Sequence, residues 1–167
     1  MYRTGIGFDV HTLAEDRLLI IGGVQIPHPK GLLGHSDADV LVHAVMDAVL
    51  GALALGDIGQ HFPDTDLKFH GADSLKLLSH VQGLAEEKGY VCTNLDSIIM
   101  AEKPKMAPYL MEMKTNLASA LKIKTEQVSI KATTLLDSGS EINVMSSSLC
   151  KRLGLKSFPL QLQVVGV

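Results

Sequence analysis

The sequence predicts one α+β domain, in which helices pack on one face of a mixed β-sheet. A length of 167 residues, with 46% hydrophobic and 20% charged residues, suits a single globular core. Apolar residues recur at helical spacing in some segments and at strand spacing in others. The resulting order is strand, hairpin, helix, helix, strand, helix, strand, which is typical of an α+β fold.

Charge and cysteine content exclude several classes of protein. The net charge is −3, and no basic block is present, so neither a nucleic-acid partner nor binding to a membrane surface is expected. Cys92 and Cys150 are far apart and form no C-x-x-C pair, which fits a reducing compartment. No targeting peptide or long apolar run is evident, so we expect a cytoplasmic protein. A plastid protein that has lost its leader remains an alternative.

The first strand is predicted at residues 6–11, where apolar and other residues strictly alternate. Alternation of this kind indicates a half-buried strand, whose apolar side chains would face the core. The apolar positions are Ile6, Phe8 and Val10, and the alternate positions are Gly7, Asp9 and His11.

Asp9 and His11 are candidate metal ligands. Residues two apart on a strand point to the same face, with their Cα atoms roughly 7 Å apart. A carboxylate and an imidazole supply two of the three protein ligands of an open metal site, and His43 is the candidate for the third. The alternative is that Asp9 caps a turn and His11 is an ordinary surface histidine.

A hairpin is predicted at residues 18–26, with Gly22-Gly23 as its turn. The strongest helix signal follows, from Ser36 to about Leu55. Ser36 is the predicted N-cap, and Asp39 takes the acidic position of a capping box.

Asp39, His43 and Asp47 lie four residues apart, so a helix would place them on one stripe. The two carboxylates could orient the imidazole of His43, or all three could form a solvated polar face. His35 and Ser36 lie where this helix is predicted to begin, and a helix N-terminus attracts phosphate. Simple capping by Ser36 is the alternative there.

The remaining elements are predicted from glycine and proline residues, which end helices and strands. A helix is predicted from the Asp73-Ser74 cap to Lys88, where Gly89 stops it. A strand from Tyr90 to Met100, with Leu95 to Met100 as its apolar centre, and a proline-bounded loop at 102–108 follow. A helix from about Pro108 to Lys122 and a strand at 128–133 complete the order.

Six motifs of the sequence, taken together and in order, resemble the 2-C-methyl-D-erythritol 2,4-cyclodiphosphate synthase family of the non-mevalonate isoprenoid pathway. No single motif is specific, but six at the family's separations are. They are Gly7-Phe8-Asp9-Val10-His11, residues 33–40, Gly56-Asp57-Ile58-Gly59 with Phe62-Pro63-Asp64-Thr65-Asp66, Gly71-Ala72-Asp73-Ser74, Lys103-Pro104-Lys105-Met106 and Lys131-Ala132-Thr133-Thr134.

The resemblance implies a homotrimer with active sites between subunits, and a substrate that is cyclised with release of CMP. It implies zinc, or another divalent cation, on Asp9, His11 and His43. His35 and Thr134 match positions assigned to transition-state stabilisation, and His35 and Ser36 would contact phosphate. The methylerythritol pocket would be lined by Asp57, Ile58, Gly59, Phe62, Pro63, Asp64, Thr65 and Asp66. The cytidine and phosphate contacts would come from Ala101, Glu102, Lys103, Pro104, Lys105, Met106, Ala107, Thr133 and Thr134.

After Thr134 the sequence departs from the family pattern, which divides the chain into residues 1–134 and a tail at 135–167. Read without gaps, Leu136 stands where the family has a glutamate that binds a second ion, Mg²⁺ or Mn²⁺. Ser140 and Asn143 replace a phenylalanine and an arginine. The alternative function is therefore an impaired, trimeric protein that binds zinc and cytidine nucleotides.

The tail has a second resemblance. Leu135-Leu136-Asp137-Ser138-Gly139-Ser140 is similar to the catalytic loop of retropepsin-like aspartic proteases. About thirty residues cannot build such an enzyme, so protease activity is not expected. A short helix at 146–153 and a last strand at 160–165 are predicted instead.

Overall fold

The computed structural model describes residues 2–133. The strands are β1 (Leu13–Ala14), β2 (Leu19–Ile21), β3 (Val24–Ile26), β4 (Gly31–Leu32), β5 (Leu95–Met100) and β6 (Val128–Thr133). The helices are α1 (Val40–Ala52), α2 (Ile58–His61), α3 (Ser74–Glu87) and α4 (Leu110–Leu121). Thr134, Leu136, the retropepsin-like segment and the elements predicted at 146–153 and 160–165 lie outside the described residues.

The predicted α+β class is confirmed, with small sheets and helices around one core. Within residues 2–133 the strands form three pairs: β1 with β4 and β2 with β3 are antiparallel, whereas β5 and β6 are parallel. The parallel pair is joined by α4, which packs on β6, as a crossover helix must. Both pairing directions are thus present, but in separate pairs within this part of the chain.

The predicted hairpin is confirmed. Ile21 and Val24 are paired across the turn, and Gly22 and Gly23 have φ angles of 60° and 70°. Two successive residues with positive φ make the turn that matches the twist of an antiparallel pair, and glycine adopts it without steric cost.

Helix α1 begins four residues later than predicted. Its N-cap is Asp39, whose carboxylate accepts a hydrogen bond from the Val42 N–H. Ser36 is therefore not the N-cap; its Oγ accepts from the Ala38 N–H in the turn before the helix. Asp39 is the cap instead of Ser36 because its side chain is completely buried at the start of α1. There its carboxylate also accepts a hydrogen bond from the Gly22 N–H of the hairpin.

Residues 6–11 contradict the prediction of a strand with its apolar face buried. Among the described residues, no strand precedes Leu13. The alternation is real, but Ile6, Phe8 and Val10 are 53%, 50% and 72% exposed. The other face, which includes Gly7, lies against α1.

The core lies between α1, α3, α4 and the β5–β6 pair, with α1 packed on α3 and α3 on α4. Helix α3 is capped by Asp73 and is followed by Gly89 at φ 75°, as predicted. No helix within residues 2–133 is long and apolar enough to cross a membrane. The largest fully buried side chains include Leu41, Met46, Leu50, Leu78, Leu95, Met113, Leu117 and Leu121.

Candidate metal centre

Two side chains of residues 5–11, Asp9 and His11, meet the side chain of His43 from α1. Oδ2 of Asp9 lies 2.9 Å from Nε2 of His11 and 3.0 Å from Nδ1 of His43. The two imidazole nitrogens lie 3.2 Å apart. The predicted candidates therefore meet, and each offers one ligand atom toward the others.

Two glycines allow this approach. A Cβ atom on Gly7 would lie 1.7 Å from the carbonyl oxygen of Ala44, and one on Gly5 would lie 1.8 Å from that of Ala48. Any other residue would hold the chain away from the backbone of α1, because such contacts are far inside van der Waals distance. The absence of these side chains thus brings Asp9 and His11 within reach of His43.

The donor set fits a divalent cation. Zinc in an open site takes three protein ligands at about 2.0–2.1 Å in tetrahedral geometry, which places them about 3.3 Å from one another. The distances of 2.9–3.2 Å between the three atoms are close to that spacing. One carboxylate with two imidazoles also matches the ligands that zinc prefers.

Electrostatics keep the Asp9 carboxylate ionised. Burial alone would raise its pKa, but the hydrogen bond with His43 and the nearby charges of His11 and His43 lower it below the ordinary value. The backbone N–H of Val10 also donates to Oδ1 of Asp9. An anionic ligand is therefore available at neutral pH.

A cavity of about 220 Å³ opens beside these ligands. His35 and Ser36 line it, as the sequence predicted for phosphate contacts. The His35 ring lies edge-on to His70, and its buried Nε2 has no hydrogen-bond partner among the described residues. The wall also contains Asp9, His11, His43, Ile58, Gly59, Phe62 and Asp64.

The segment predicted to bind methylerythritol contributes only in part to this wall. Oδ1 of Asp47 accepts from the Ile58 N–H at 2.8 Å, which holds α2 against α1. Asp57 caps α2, and Asp66 caps the 3-10 turn at Leu67–Phe69. The cavity wall does not include Asp57, Pro63, Thr65 or Asp66.

A second cavity, of about 540 Å³, also has Asp9 and His11 in its wall. Ala101, Glu102, Lys103 and Met106 line it, whereas Pro104, Lys105 and Ala107 do not. Thr133 lies beside this loop, because its carbonyl accepts from the Ala101 N–H. The predicted cytidine-contacting residues are therefore grouped, but apart from the 220 Å³ cavity.

The predicted carboxylate stripe on α1 does not orient His43. The Asp39 side chain turns to the hairpin, and that of Asp47 turns to Ile58. Oxygens of Ser36 and Ser74 instead lie 3.0 Å from Nε2 of His43. Ser74 could not be predicted from the sequence, because a separation of 31 residues from His43 makes no local pattern and the position after Asp73 suggested only a helix cap.

Comparisons with known proteins agree with this geometry. The model of the YgbB family matches residues 2–150. A 2-C-methyl-D-erythritol 2,4-cyclodiphosphate synthase of Clostridioides difficile (strain 630) is 58% identical over 151 residues, which cover 89% of this chain and 94% of that protein. The chain belongs to the YgbB family.

Two further known proteins are similar to this chain. A synthase of the same name from Alkaliphilus metalliredigens (strain QYMF) is 64% identical over 132 residues, 79% of this chain and 83% of that protein. A structure of 2C-methyl-D-erythritol-2,4-cyclodiphosphate synthase in a CDP-bound form superposes with a TM-score of 0.76 at 33% identity, covering 83% of this chain and 93% of that one. The YgbB match also continues past position 134, where the tail departs from the motif pattern.

Proposed function

We propose that this chain is a zinc-dependent 2-C-methyl-D-erythritol 2,4-cyclodiphosphate synthase. Its substrate is 4-diphosphocytidyl-2-C-methyl-D-erythritol 2-phosphate, and its products are the cyclic diphosphate and CMP. The observation that carries the proposal is the convergence of Asp9, His11 and His43 beside a cavity lined by His35 and Ser36. The names of the YgbB relatives support the choice of substrate.

The reaction joins two anions, so positioning and charge neutralisation dominate its catalysis. An oxygen of the 2-phosphate forms a bond to the β-phosphorus, the bond from that phosphorus to the CMP oxygen breaks, and CMP leaves with the electron pair. When bound by Asp9, His11 and His43, zinc supplies Lewis-acid polarisation of phosphoryl oxygens. No protein nucleophile is required, because the attacking phosphate is already ionised.

His35 and Ser36 hold the phosphates in this proposal. His35 lines the cavity, and its buried Nε2 lacks a hydrogen-bond partner among the described residues, which leaves this nitrogen for a phosphate oxygen. Ser36 presents a hydroxyl on the same wall. Thr134 is proposed as the second stabilising residue, from the motif match alone.

The pocket residues complete the proposal. Asp57, Ile58, Gly59, Phe62, Pro63, Asp64, Thr65 and Asp66 form the methylerythritol pocket, and Ala101 to Ala107 with Thr133 contact the cytidine half. The members of the two groups that line a cavity line different ones: Ile58, Gly59, Phe62 and Asp64 the first, and Ala101, Glu102, Lys103 and Met106 the second. A homotrimer with sites between subunits, as the resemblance implies, would bring the cytidine loop of one subunit to the metal centre of the next. A cytoplasmic location is part of the same proposal, supported by the bacterial relatives.

Release of CMP tests the activity. The purified protein is stripped with a chelator, reloaded with zinc and mixed with substrate and Mg²⁺. We expect zinc-dependent release of CMP, and we expect Asp9→Asn to reduce it at least about 100-fold because a ligand is lost. Glu15→Gln is the control, since Glu15 lies in an exposed ion pair with Lys30. Equal turnover by wild type and Asp9→Asn would contradict the proposal.

The tail supplies a narrower alternative: zinc and cytidine-nucleotide binding with reduced turnover. Leu136, where the family has the glutamate for the second ion, is the residue that favours it. Leu136→Glu separates the two. Faster CMP release by the variant would support an impaired enzyme, whereas full turnover by the wild type would show that another group serves the second ion.

A further inference from the structure

The nitrogen of His43 that faces away from Asp9 contacts a buried pair of polar residues. Oγ of Ser74 lies 3.0 Å from Nε2 of His43. The same hydroxyl donates to Oδ1 of Asp37, and the Ser74 backbone N–H donates to Oδ2 at 2.9 Å. The order of contacts is therefore His43, Ser74, Asp37, which leads away from the ligand atom Nδ1.

When Nδ1 of His43 holds a cation, the direction of these hydrogen bonds favours a proton on Nε2; without the cation, Oδ2 of Asp9 also accepts a hydrogen bond from Nδ1, at 3.0 Å. An ionised carboxylate can only accept, so the single hydroxyl proton of Ser74 is committed to Asp37. Oγ of Ser74 then presents only lone pairs to His43, and a favourable contact requires a proton on Nε2. A neutral imidazole with its proton on Nε2 has a free lone pair on Nδ1, the atom beside Asp9 and His11.

Ser36 does not decide the tautomer. Its Oγ lies 3.0 Å from Nε2 of His43 and accepts from the Ala38 N–H at 3.1 Å. Its own proton is not committed to a carboxylate, so this hydroxyl can either donate to or accept from the imidazole. The Ser74 hydroxyl differs because Asp37 uses its only proton.

Burial makes the pair effective. Ser74 is completely buried and His43 is 7% exposed, so water cannot replace the hydroxyl contact. The loop that carries Asp37 is also joined to the residues before α3: the Asp37 N–H donates to Ala72, and the Gly71 N–H donates to His35. The starts of α1 and α3 are thus held together around this pair.

We propose that Asp37 and Ser74 are positioning residues that keep His43 in the Nε2–H tautomer and aim Nδ1 at the cation. This inference rests on the metal centre of the proposed function. Groups that hold a metal-ligating histidine in this way commonly contribute about 10- to 100-fold to metal affinity.

Zinc affinity, measured by competition with a chromogenic chelator, tests the inference without relying on activity. We expect Ser74→Ala to weaken zinc binding about 10- to 100-fold. Ser79→Ala is the matched control on the same helix, because among residues 2–133 the exposed Ser79 hydroxyl bonds only to the Leu75 carbonyl. We expect that control to bind zinc as the wild type does.

The histidine tautomer supplies a readout that a merely structural role would not change. Long-range ¹H–¹⁵N spectra of the metal-free proteins should show more His43 protonated on Nδ1 in Ser74→Ala than in the wild type, because Oδ2 of Asp9 accepts from Nδ1 and the variant removes an acceptor at Nε2. Asp37→Asn is the second variant, because it keeps the size of the side chain but loosens the hold on the Ser74 proton. It should change the tautomer and weaken zinc binding in the same direction.

The outcomes separate this inference from the metal centre itself. Failure of the wild type to bind zinc would overturn the metal centre. Zinc binding by the wild type, with unchanged affinity and tautomer in folded Ser74→Ala and Asp37→Asn, would overturn only the role of the pair. A fall in melting temperature alone, without a change in either readout, would assign Asp37 and Ser74 to capping α3.

Discussion

The two faces of residues 5–11 differ in burial. The face that carries Gly5, Gly7, Asp9 and His11 lies against α1, close enough that a single Cβ atom would overlap its backbone. The face that carries Ile6, Phe8 and Val10 is half or more exposed. Alternation therefore identifies which residues share a face, but the element packed against the segment decides which face is buried.

The largest effect should come from the inward face. In Gly7→Ala the new methyl group would lie 1.7 Å from the Ala44 carbonyl oxygen, so the segment must move away from α1. We expect a loss of roughly 3 kcal/mol or more of unfolding free energy, together with loss of zinc binding. Urea unfolding and chelator competition measure the two effects.

Gly83→Ala provides the matched control for that substitution. Gly83 lies within α3, and a Cβ atom there would meet nothing within 4 Å. Alanine should therefore stabilise the protein by about 0.5–1 kcal/mol through helix propensity. Equal tolerance of alanine at positions 7 and 83 would break the comparison of the two faces.

The helix that receives the inward face should make stability depend on pH. Burial raises the pKa of Asp39 to about 6, against the opposing hydrogen bonds from Gly23, Val42 and Gly22 and with the nearby charge of Asp37. The folded state therefore binds the Asp39 proton more tightly than the unfolded state does. The resulting contribution to the free energy of unfolding is fully present below the ordinary pKa of the carboxyl and is lost as pH rises through about 6.

The corresponding measurement is the free energy of urea unfolding between pH 4 and 8. A shift of about two pKa units amounts to about 3 kcal/mol over that range. Asp39→Asn should be less stable overall, since its amide faces backbone N–H donors, but its pH profile should be flatter. Parallel profiles for the two proteins would contradict the assignment of the slope to Asp39.

Added zinc should raise the free energy of unfolding through the inward face of residues 5–11 and not through the outward face. A ligand at 100 times its dissociation constant adds about 2.7 kcal/mol to the free energy of unfolding. Zinc should therefore raise the melting temperature of the wild type and of Phe8→Ser, but not that of Asp9→Asn. A rise of equal size in Asp9→Asn would place the ion elsewhere.

The smallest effect should come from the outward face within a single subunit. Phe8 is 50% exposed, so Phe8→Ser should change the unfolding free energy of the monomer by less than about 1 kcal/mol. A row of exposed apolar residues is, however, suited to cover by another chain. Sedimentation of the wild type and Phe8→Ser over a range of concentrations tests for this association, which should be weaker in the variant. A large loss of stability in Phe8→Ser at every dilution would instead place Phe8 in the core.

Much of the fold could be predicted from local patterns. The Gly22-Gly23 turn, the α3 cap at Asp73 and the strand at 128–133 all depend on residues close together in sequence, and all are present. The start of α1 could not be predicted in this way. Ser36 and Asp39 are both good caps, and the choice between them depends on Gly22 and Gly23, which lie far from the helix in sequence.

The candidate site also contains some residues that could be predicted from the sequence and others that could not. Asp9, His11 and His43 were candidates from their chemistry and spacing and were favoured by the family resemblance, and the structure brings them together. The groups around them could not be predicted, because Ser74 reaches His43 through packing of α3 on α1 rather than through any local spacing. The carboxylates on the His43 stripe were favoured instead, and both bind elsewhere.

The link between the hairpin and α1 has a consequence for interpreting damaged variants. The carboxylate of Asp39 accepts from Gly22 at 2.9 Å and from Gly23 at 2.6 Å, one helical turn before His43. A substitution at the tip of the hairpin can therefore tilt the first turn of α1 and misplace an imidazole that it never touches. Activity lost at residues 22 or 23 should accordingly be restored, at least in part, by raising the zinc concentration.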